Sequence, residues 1–559
     1  MQKQILQPRY YWTNFRYVLD LVRRLYSPLL TATETNFLDC FDALSLDAQC
    51  LYVRVSNRKG VFFRVNKLNY PEITDLAVAL SELLGAGFLE PLHRQHQPLG
   101  RDVLDVFTKP DLLTYLPLEP DESRSLQKLK KEDVVQYVLD ELDFGALVTG
   151  LTAQEAVVKV NFEVEVMLVK FLFFGNRGSD MTEFVMRDMG MMNFEQHDES
   201  KMTARFRTRK EVDDKLLISL TNERFYQLKE AETPPQEVYD WFLNWNETRP
   251  NLATIAQPGY QKLVCRVGAY LERAKLPEQA LVVYQLSDHV PARERRVRLL
   301  HKNGLTDEAL ALLDEIAVTP QNAEERYFAQ DFREKILGTA AKKRPRKATT
   351  RFLSDAESLS IPAAYRHHVE AGVMNHYLAE GQDAAFTENY PWRGLFGLVF
   401  WDVIYDTNVA AIHHPLQRAP SDFYLPDFYF RREELLKKCL TDLATKDDWR
   451  RHVGRTYNAK FGITNVLVDW NDELLGLVNQ LIDLLDLAQL RLILLEMARN
   501  VREHTRGFPD LLVWNGAGDY SFVEVKSPTD HLGPQQLHWL EYFQTIGVRG
   551  KVVRVVWAL

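Results

Sequence analysis

Two carboxylates and an ammonium stand close together near the end of the chain. Pro509-Asp510 opens the apolar run Leu511-Leu512-Val513-Trp514, and Glu524-Val525-Lys526 closes a second run, rich in aromatic and β-branched residues, that begins at Tyr520. The intervening Asn515-Gly516-Ala517-Gly518-Asp519 has turn chemistry, so the segment predicts a β-hairpin. Alternate side chains of a strand share a face. Glu524 and Lys526 therefore point together, Val525 points the other way, and Asp510 enters the partner strand beside them. Hard cations such as Mg²⁺ take oxygen ligands, commonly one or two carboxylates with water and substrate phosphate. A cation held there polarises a phosphoryl oxygen and acidifies a bound water. Lys526 is suited to orient that water or to stabilise charge developing on the phosphate. The chemistry indicated is metal-dependent hydrolysis of a phosphodiester. A solvated surface hairpin would carry the same Glu and Lys. Two features favour the site: carboxylates in an apolar hairpin are costly unless paired or metal-bound, and a helical segment from Gly533 to Leu540 follows, with Gln536 and Trp539 on one face.

Asp510, Glu524-Val525-Lys526 and the Gln536-x-x-Trp539 helix resemble the PD-(D/E)XK nuclease superfamily. With the closing strand Val552-Val553-Arg554-Val555-Val556-Trp557 they resemble its VRR-NUC branch. The strings Arg506 to Asn515 and Leu395 to Ile404 are similar to the Fanconi-associated nucleases within that branch. That resemblance implies a further metal-binding Glu at the start of a helix, and Glu388 in Phe386-Thr387-Glu388-Asn389-Tyr390 occupies the matching place. It implies Mg²⁺ or Mn²⁺ held by Glu388, Asp510, Glu524 and the main-chain carbonyl of Val525. Lys526 would be catalytic, with Gln536 in the catalytic set.

The elements that must position these residues belong to a long chain. Its 559 residues exceed what a single core usually holds, so several domains are expected. A hydrophobic content of 46% and an aromatic content of 11% suit globular domains. No long uncharged apolar run indicates a membrane span, and the start Met1-Gln2-Lys3-Gln4 lacks a secretory apolar core. Cys40, Cys50, Cys265 and Cys439 have no C-x-x-C spacing, which argues against a disulfide framework and a zinc finger and for an intracellular protein. The net charge of −9 does not exclude DNA, because phosphate binding needs a local basic stripe rather than a basic protein.

Basic stripes are present. Phe15 to Leu25 is helical, Leu51 to Val65 alternates like a hairpin around a basic Gly turn, and Ile73 to Leu84 is helical again up to Gly85. This order suggests a winged-helix-like module in which Arg54, Arg58, Lys59, Arg64 and Lys67 face phosphates. A basic wing on a protein-packing module fits equally well. Residues 96–150 resemble a SAP-type motif, with Lys128, Lys130 and Lys131 as backbone contacts, though a charged face of an ordinary helix fits too. Ala269 to Leu281 and Arg298 to Leu310 read as two similar helical hairpins of tetratricopeptide type. The Met-rich stretch Met181 to Met192 reads as core. The run Lys342 to Lys347 reads as a basic linker, and the adjacent pairs His367-His368 and His413-His414 as structural.

The expected fold is multidomain and mainly α, with a C-terminal α/β restriction-endonuclease-like domain. The expected boundaries are 1–95 for the winged-helix-like module, 96–150 for the SAP-like motif, 151–250 for a mixed helical connector, 251–340 for the repeats, 341–360 for the linker and 361–559 for the nuclease domain. The resemblance implies a structure-selective DNA endonuclease and 5′-to-3′ exonuclease acting on branched DNA with a 5′ flap, in interstrand crosslink repair. The alternatives are a Holliday-junction resolvase or a non-catalytic repair scaffold. No ubiquitin-binding zinc finger is visible. The place of action would be the nucleoid of a bacterial cytoplasm, or a eukaryotic nucleus.

Overall fold

The computed structural model describes residues 6–340, 352–354 and 356–558, so the basic run at 342–347 lies outside the described residues. Helices dominate. The chain divides into two compact units: Met1–Met192 with Ala204–Arg209, and Asn193–Thr203 with Lys210–Leu559. Among the described residues no helix is long and apolar enough to cross a membrane.

In the first unit, helices Tyr10–Tyr26, Ala32–Ala43 and Leu46–Ser56 precede a short strand, β1 (Phe62–Arg64). The hairpin expected over 51–65 does not form. Ser45 caps a helix there, accepting a hydrogen bond from the Ala48 amide at 3.3 Å. Cys50, Leu51, Tyr52, Val53 and Val55 are all buried. A helix buried nearly all round shows no 3.6-residue period, so its Val-Arg-Val alternation imitates a strand. The basic turn survives as Arg58-Lys59-Gly60, with Gly60 at φ +88°. β1 pairs with β3 (Val157–Val160), which also pairs with β2 (Leu89–Pro91), giving the antiparallel order β1-β3-β2. The helices of 100–154 therefore sit between two strands of one sheet, and the first unit continues well past residue 95. Within them the Lys-rich turn joins helices Pro120–Leu126 and Lys131–Glu141.

The second unit opens with helix pairs. Gln257–Arg273 packs on Pro277–Tyr284, and Ala292–Lys302 on Thr306–Val318. A Cβ on Gly268 would lie 2.6 Å from the Tyr284 ring, which is why a glycine stands at that crossing.

A five-stranded sheet then forms from β4 (Glu357–Pro362), β5 (Asp383–Phe386), β6 (Leu511–Trp514), β7 (Tyr520–Lys526) and β8 (Gly550–Ala558). Its order is β4-β8-β7-β6-β5. β8 runs parallel to β4 and β7, while β6 runs antiparallel to β5 and β7. The β6–β7 hairpin is closed by Asn515, whose side chain accepts from the amides of Ala517 and Asp519 at 3.0 and 3.1 Å. Both faces of the sheet are covered, which explains the near-continuous apolar sequence of its central strands. Leu511, Val513, Val523 and Val525 pack under Val373 and Tyr377 of helix Val369–Ala379. Leu512 and Phe522 pack against Trp392, Phe508, Trp539 and Phe543.

Phe508 is the hinge of that second face. Its ring lies between Trp392, at 4.7 Å, and Trp539, at 4.0 Å, both stacked. The approach needs Gly507, which has φ +82° and whose Cβ would meet main-chain and side-chain carbons of Gln535 at 2.7 and 2.6 Å. Replacing Gly507 with Ala should therefore cost on the order of 1–3 kcal/mol, read as a lower thermal midpoint. Gly516→Ala, where nothing lies within 4 Å of the added carbon, is the matched control and should change little. Equal midpoints for the two variants would contradict this account of the close approach.

Candidate active site

The strand register builds the site. Leu511 faces Val523 across β6 and β7, so one step further along the same antiparallel register sets Asp510 opposite Glu524. The β5–β6 pair continues the same way. Phe386 faces Leu511, and the Thr387 amide donates to the Asp510 carbonyl at 2.9 Å. The next residue is Glu388, so the end of β5 delivers it beside Asp510 from far upstream in sequence. Its charge acts on both Asp510 and Glu524. Asn389 then takes φ +55°, which Asn tolerates better than most residues. Its amide nitrogen donates to Glu388 Oε1 at 2.9 Å, and its side-chain oxygen accepts from the Phe508 amide at 3.3 Å. Asn389 thus ties Glu388 to the Asp510 loop, a role that spacing along the chain does not reveal.

Asp510 and Glu524 are both buried, Glu524 completely. Asp510 Oδ2 accepts the Val525 amide at 2.7 Å. Glu524 Oε1 lies 2.8 Å from Lys526 Nζ and accepts from Gln536 Nε2 at 2.5 Å. The Gln536 amide oxygen in turn accepts from Lys526 at 3.1 Å and from the Gly533 amide at 2.9 Å. Glu524, Lys526 and Gln536 are therefore one closed polar unit, with Gln536 held by the first turn of helix Pro534–Thr545. Glu524 Oε2 is buried without a hydrogen-bond partner among the described residues.

Burial dominates the electrostatics. It pushes Asp510 up to about 6, against the pull of the Val525 amide and Lys526. It pushes Glu524 up to about 8, with the neighbouring Asp510 adding to the rise and Lys526 opposing it. A buried carboxylate oxygen with no protein partner and two facing acids that prefer to be neutral fit a divalent cation. It would supply the counter-charge that one lysine does not. The residues present can hold such an ion through Asp510, Glu524 and Glu388, with Val525 at the same strand end.

The expected DNA contacts divide. Arg58, Lys59 and Lys67 are exposed, and Arg58 donates to the Tyr70 hydroxyl at 3.2 Å. Lys128 and Lys130 are exposed, whereas Lys131 donates to the Asp105 carbonyl at 2.8 Å. Arg54 is clamped by Glu72, at 2.5 and 2.9 Å, and covers the Tyr11 ring at 3.8 Å. Arg64 does not present itself to phosphate. It is 7% exposed and paired with Asp111 at 2.7 Å and Glu155 at 2.5 Å. Those acids lie far along the chain, so the sequence around Arg64 shows only its charge.

Known proteins bear on this geometry. The sequence model described as "FAN1, HTH domain" matches residues 9–90, and that of the VRR-NUC domain matches residues 444–557. A Fanconi-associated nuclease 1 homolog of Pseudomonas aeruginosa is 29% identical over 544 residues, covering 96% of this chain and 94% of the relative. The Arabidopsis thaliana homolog is 25% identical over 98% of this chain and 67% of its own length. The human Fanconi-associated nuclease 1 is 22% identical over 98% of this chain and 62% of its own length. A solved structure of paFAN1 bound to gapped DNA with a two-nucleotide 5′ flap superposes with a TM-score of 0.81 at 27% identity, covering 99% of each chain.

The raised acids predict a pH dependence for the chelator-treated protein. Ordinary carboxyls titrate near 4 when unfolded. A folded value above that adds stability fully present below pH about 4 and lost as pH rises through about 6 for Asp510 and about 8 for Glu524. The thermal midpoint should therefore fall between pH about 4 and about 8 without metal, most steeply below 6 where both acids contribute. The fall should shrink in Glu524→Gln, and excess Mg²⁺ should reverse it in the native chain. Equal pH dependence in the native chain and Glu524→Gln would contradict the assignment.

Proposed function

We infer that this chain, which belongs to the Fanconi-associated nucleases, hydrolyses phosphodiesters in branched DNA at the Asp510–Glu524–Lys526 site. The observation that carries the reading is the register that sets two buried carboxylates face to face, with an ammonium and an unpartnered carboxylate oxygen at the same point. Asp510, Glu524, Glu388 and the carbonyl of Val525 would hold the ion, Mg²⁺ or Mn²⁺. When bound, that ion polarises the scissile phosphate and makes a water more acidic.

The chain's own groups do the rest. Lys526 is held at 2.8 Å from Glu524 and 3.1 Å from Gln536, so its position is fixed before substrate arrives. From that position Lys526 would stabilise charge gathering on the phosphate oxygens. Gln536 keeps Glu524 and Lys526 in register through its two-sided amide. Asn389 and the end of β5 bring Glu388 within electrostatic reach of Asp510.

The near full-length likeness to paFAN1, solved with two-nucleotide and one-nucleotide 5′ flaps, supports 5′-flap DNA as the substrate. The activity is then endonucleolytic at the flap junction and 5′-to-3′ exonucleolytic beyond it, in repair of interstrand crosslinks. Arg58, Lys59, Lys67, Lys128 and Lys130 are the proposed phosphate contacts that position the duplex without reading its sequence. The chain would work where its DNA is, in a nucleoid or a nucleus.

Cleavage of 5′-flap, 3′-flap, four-way and fully paired DNA, with and without Mg²⁺, tests the reading. The 5′ flap should be cut fastest and only with metal. Lys526→Ala should lower turnover by about 10²–10³-fold while Mn²⁺ binding persists. Asp510→Ala should abolish cleavage and leave DNA affinity nearly unchanged. Preference for the four-way junction would establish a resolvase, and metal-independent DNA binding without cleavage would establish a scaffold.

A further inference from the structure

Beside Asp510, on the flank away from Glu524, stands Thr387. Phe386 faces Leu511 across β5 and β6, and the Thr387 amide donates to the Asp510 carbonyl at 2.9 Å, so the register carries on and sets Thr387 opposite Asp510. Leu511 faces Val523, which sets Asp510 opposite Glu524 in the same way. Residues directly opposite on antiparallel strands turn their side chains to one face, about 4.5–5.5 Å apart at Cβ. Thr387, Asp510 and Glu524 therefore form one row across three strands. We propose that Thr387 is a positioning residue of the catalytic site, its hydroxyl placed to hold a water carried by the divalent ion that Asp510 and Glu524 bind. The proposal rests on the reading of those two acids as the seat of the ion.

The hydroxyl itself is the first reason. Thr387 is fully buried, and its Oγ1 makes no hydrogen bond among the described residues. Thr221 and Thr505, the other threonines buried among the described residues, show what such a group ordinarily does. Each donates to the carbonyl one helical turn back, that of Leu217 at 2.8 Å and that of Val501 at 2.7 Å. That bond belongs to helical geometry, and Thr387 follows a strand. The neighbouring carboxylate does not take the hydroxyl either, since Asp510 accepts the Val525 amide through Oδ2.

Its cost is the second reason. An unpaired hydroxyl in a dry layer destabilises the fold, whereas valine has nearly the same shape and suits a strand as well. Stability alone would favour valine. A partner that comes with the ion accounts for the hydroxyl.

The chemistry of the ion is the third. Mg²⁺ held by one or two carboxylates keeps several of its waters. A threonine hydroxyl can donate to such a water or accept from it. Being neutral, it adds no further negative charge to a row that already contains two acids. Lys526 and Gln536 fix the Glu524 end of the row. Thr387 would serve the other end, next to Glu388, as outer partners of metal ligands do.

The test compares two substitutions in the full chain. Thr387→Val removes the hydroxyl and keeps the shape, and Thr387→Ser keeps the hydroxyl. In chelator-treated protein Thr387→Val should raise the thermal midpoint by about 2–4 °C, because a buried polar group is lost and no bond with it. Calorimetric titration of the same variant should show Mg²⁺ binding weakened by about tenfold or more. Thr387→Ser should bind Mg²⁺ as the native chain does. A role in the fold alone would leave Mg²⁺ affinity unmoved. Asp510→Ala checks the seat of the ion and should abolish saturable Mg²⁺ binding. Native Mg²⁺ affinity in Thr387→Val, with Asp510→Ala still abolishing it, would overturn the role of Thr387 alone. Mg²⁺ binding that survives Asp510→Ala would overturn the seat and this proposal with it. A lower midpoint for Thr387→Val would show the hydroxyl already paired in the metal-free fold and would also overturn the proposal.

Discussion

Two acids face each other across adjacent strands in a dry layer, and that placement governs the rest of the nuclease unit. Ionising both Asp510 and Glu524 there is costly, because burial disfavours charge and each raises the other. A protein that only needed stability would place apolar residues at both positions. Lys526 offsets one charge, and Gln536 links it to Glu524 without adding another. What remains is a site short of positive charge, with an unpartnered oxygen, at the strand end where Glu388 arrives. Affinity for a divalent ion there would be the other side of its cost to the metal-free fold.

The surrounding architecture keeps that geometry from relaxing. β7 is paired on both sides, so Glu524 and Lys526 cannot move without breaking two ladders. The Asp510 loop is pinned from behind by Phe508 between Trp392 and Trp539. Trp539 also donates to the Arg506 carbonyl at 3.2 Å, so the helix that carries Gln536 holds both strands' acids in place. Glu388 needs no local spacing, because β5 is an edge strand whose register with β6 aims its last residues at Asp510.

Much of this was legible in sequence where the physics is local. Strand period and turn chemistry place Glu524, Lys526 and the Asn515 turn correctly, because neighbours along the chain determine them. The helical hairpins were legible for the same reason. What requires a partner distant in sequence was not. Glu388 came only through family resemblance. Asn389 and Gly507 look ordinary until their positive φ is seen, and Arg64 looks like a phosphate contact until Asp111 and Glu155 close on it. The helix Leu46–Ser56 read as a strand because burial on every side erased its period.

The claim that Glu524 is held protonated until metal arrives can be measured directly. Calorimetric titration of Mg²⁺ at pH 7 in buffers of different ionisation enthalpy counts the protons released per ion bound. With Glu524 near 8 and Asp510 near 6, about one proton should leave for each Mg²⁺. Glu524→Gln should release almost none. Mg²⁺ binding to the native chain without proton release would mean that both acids are already ionised, and the account of the site would be wrong.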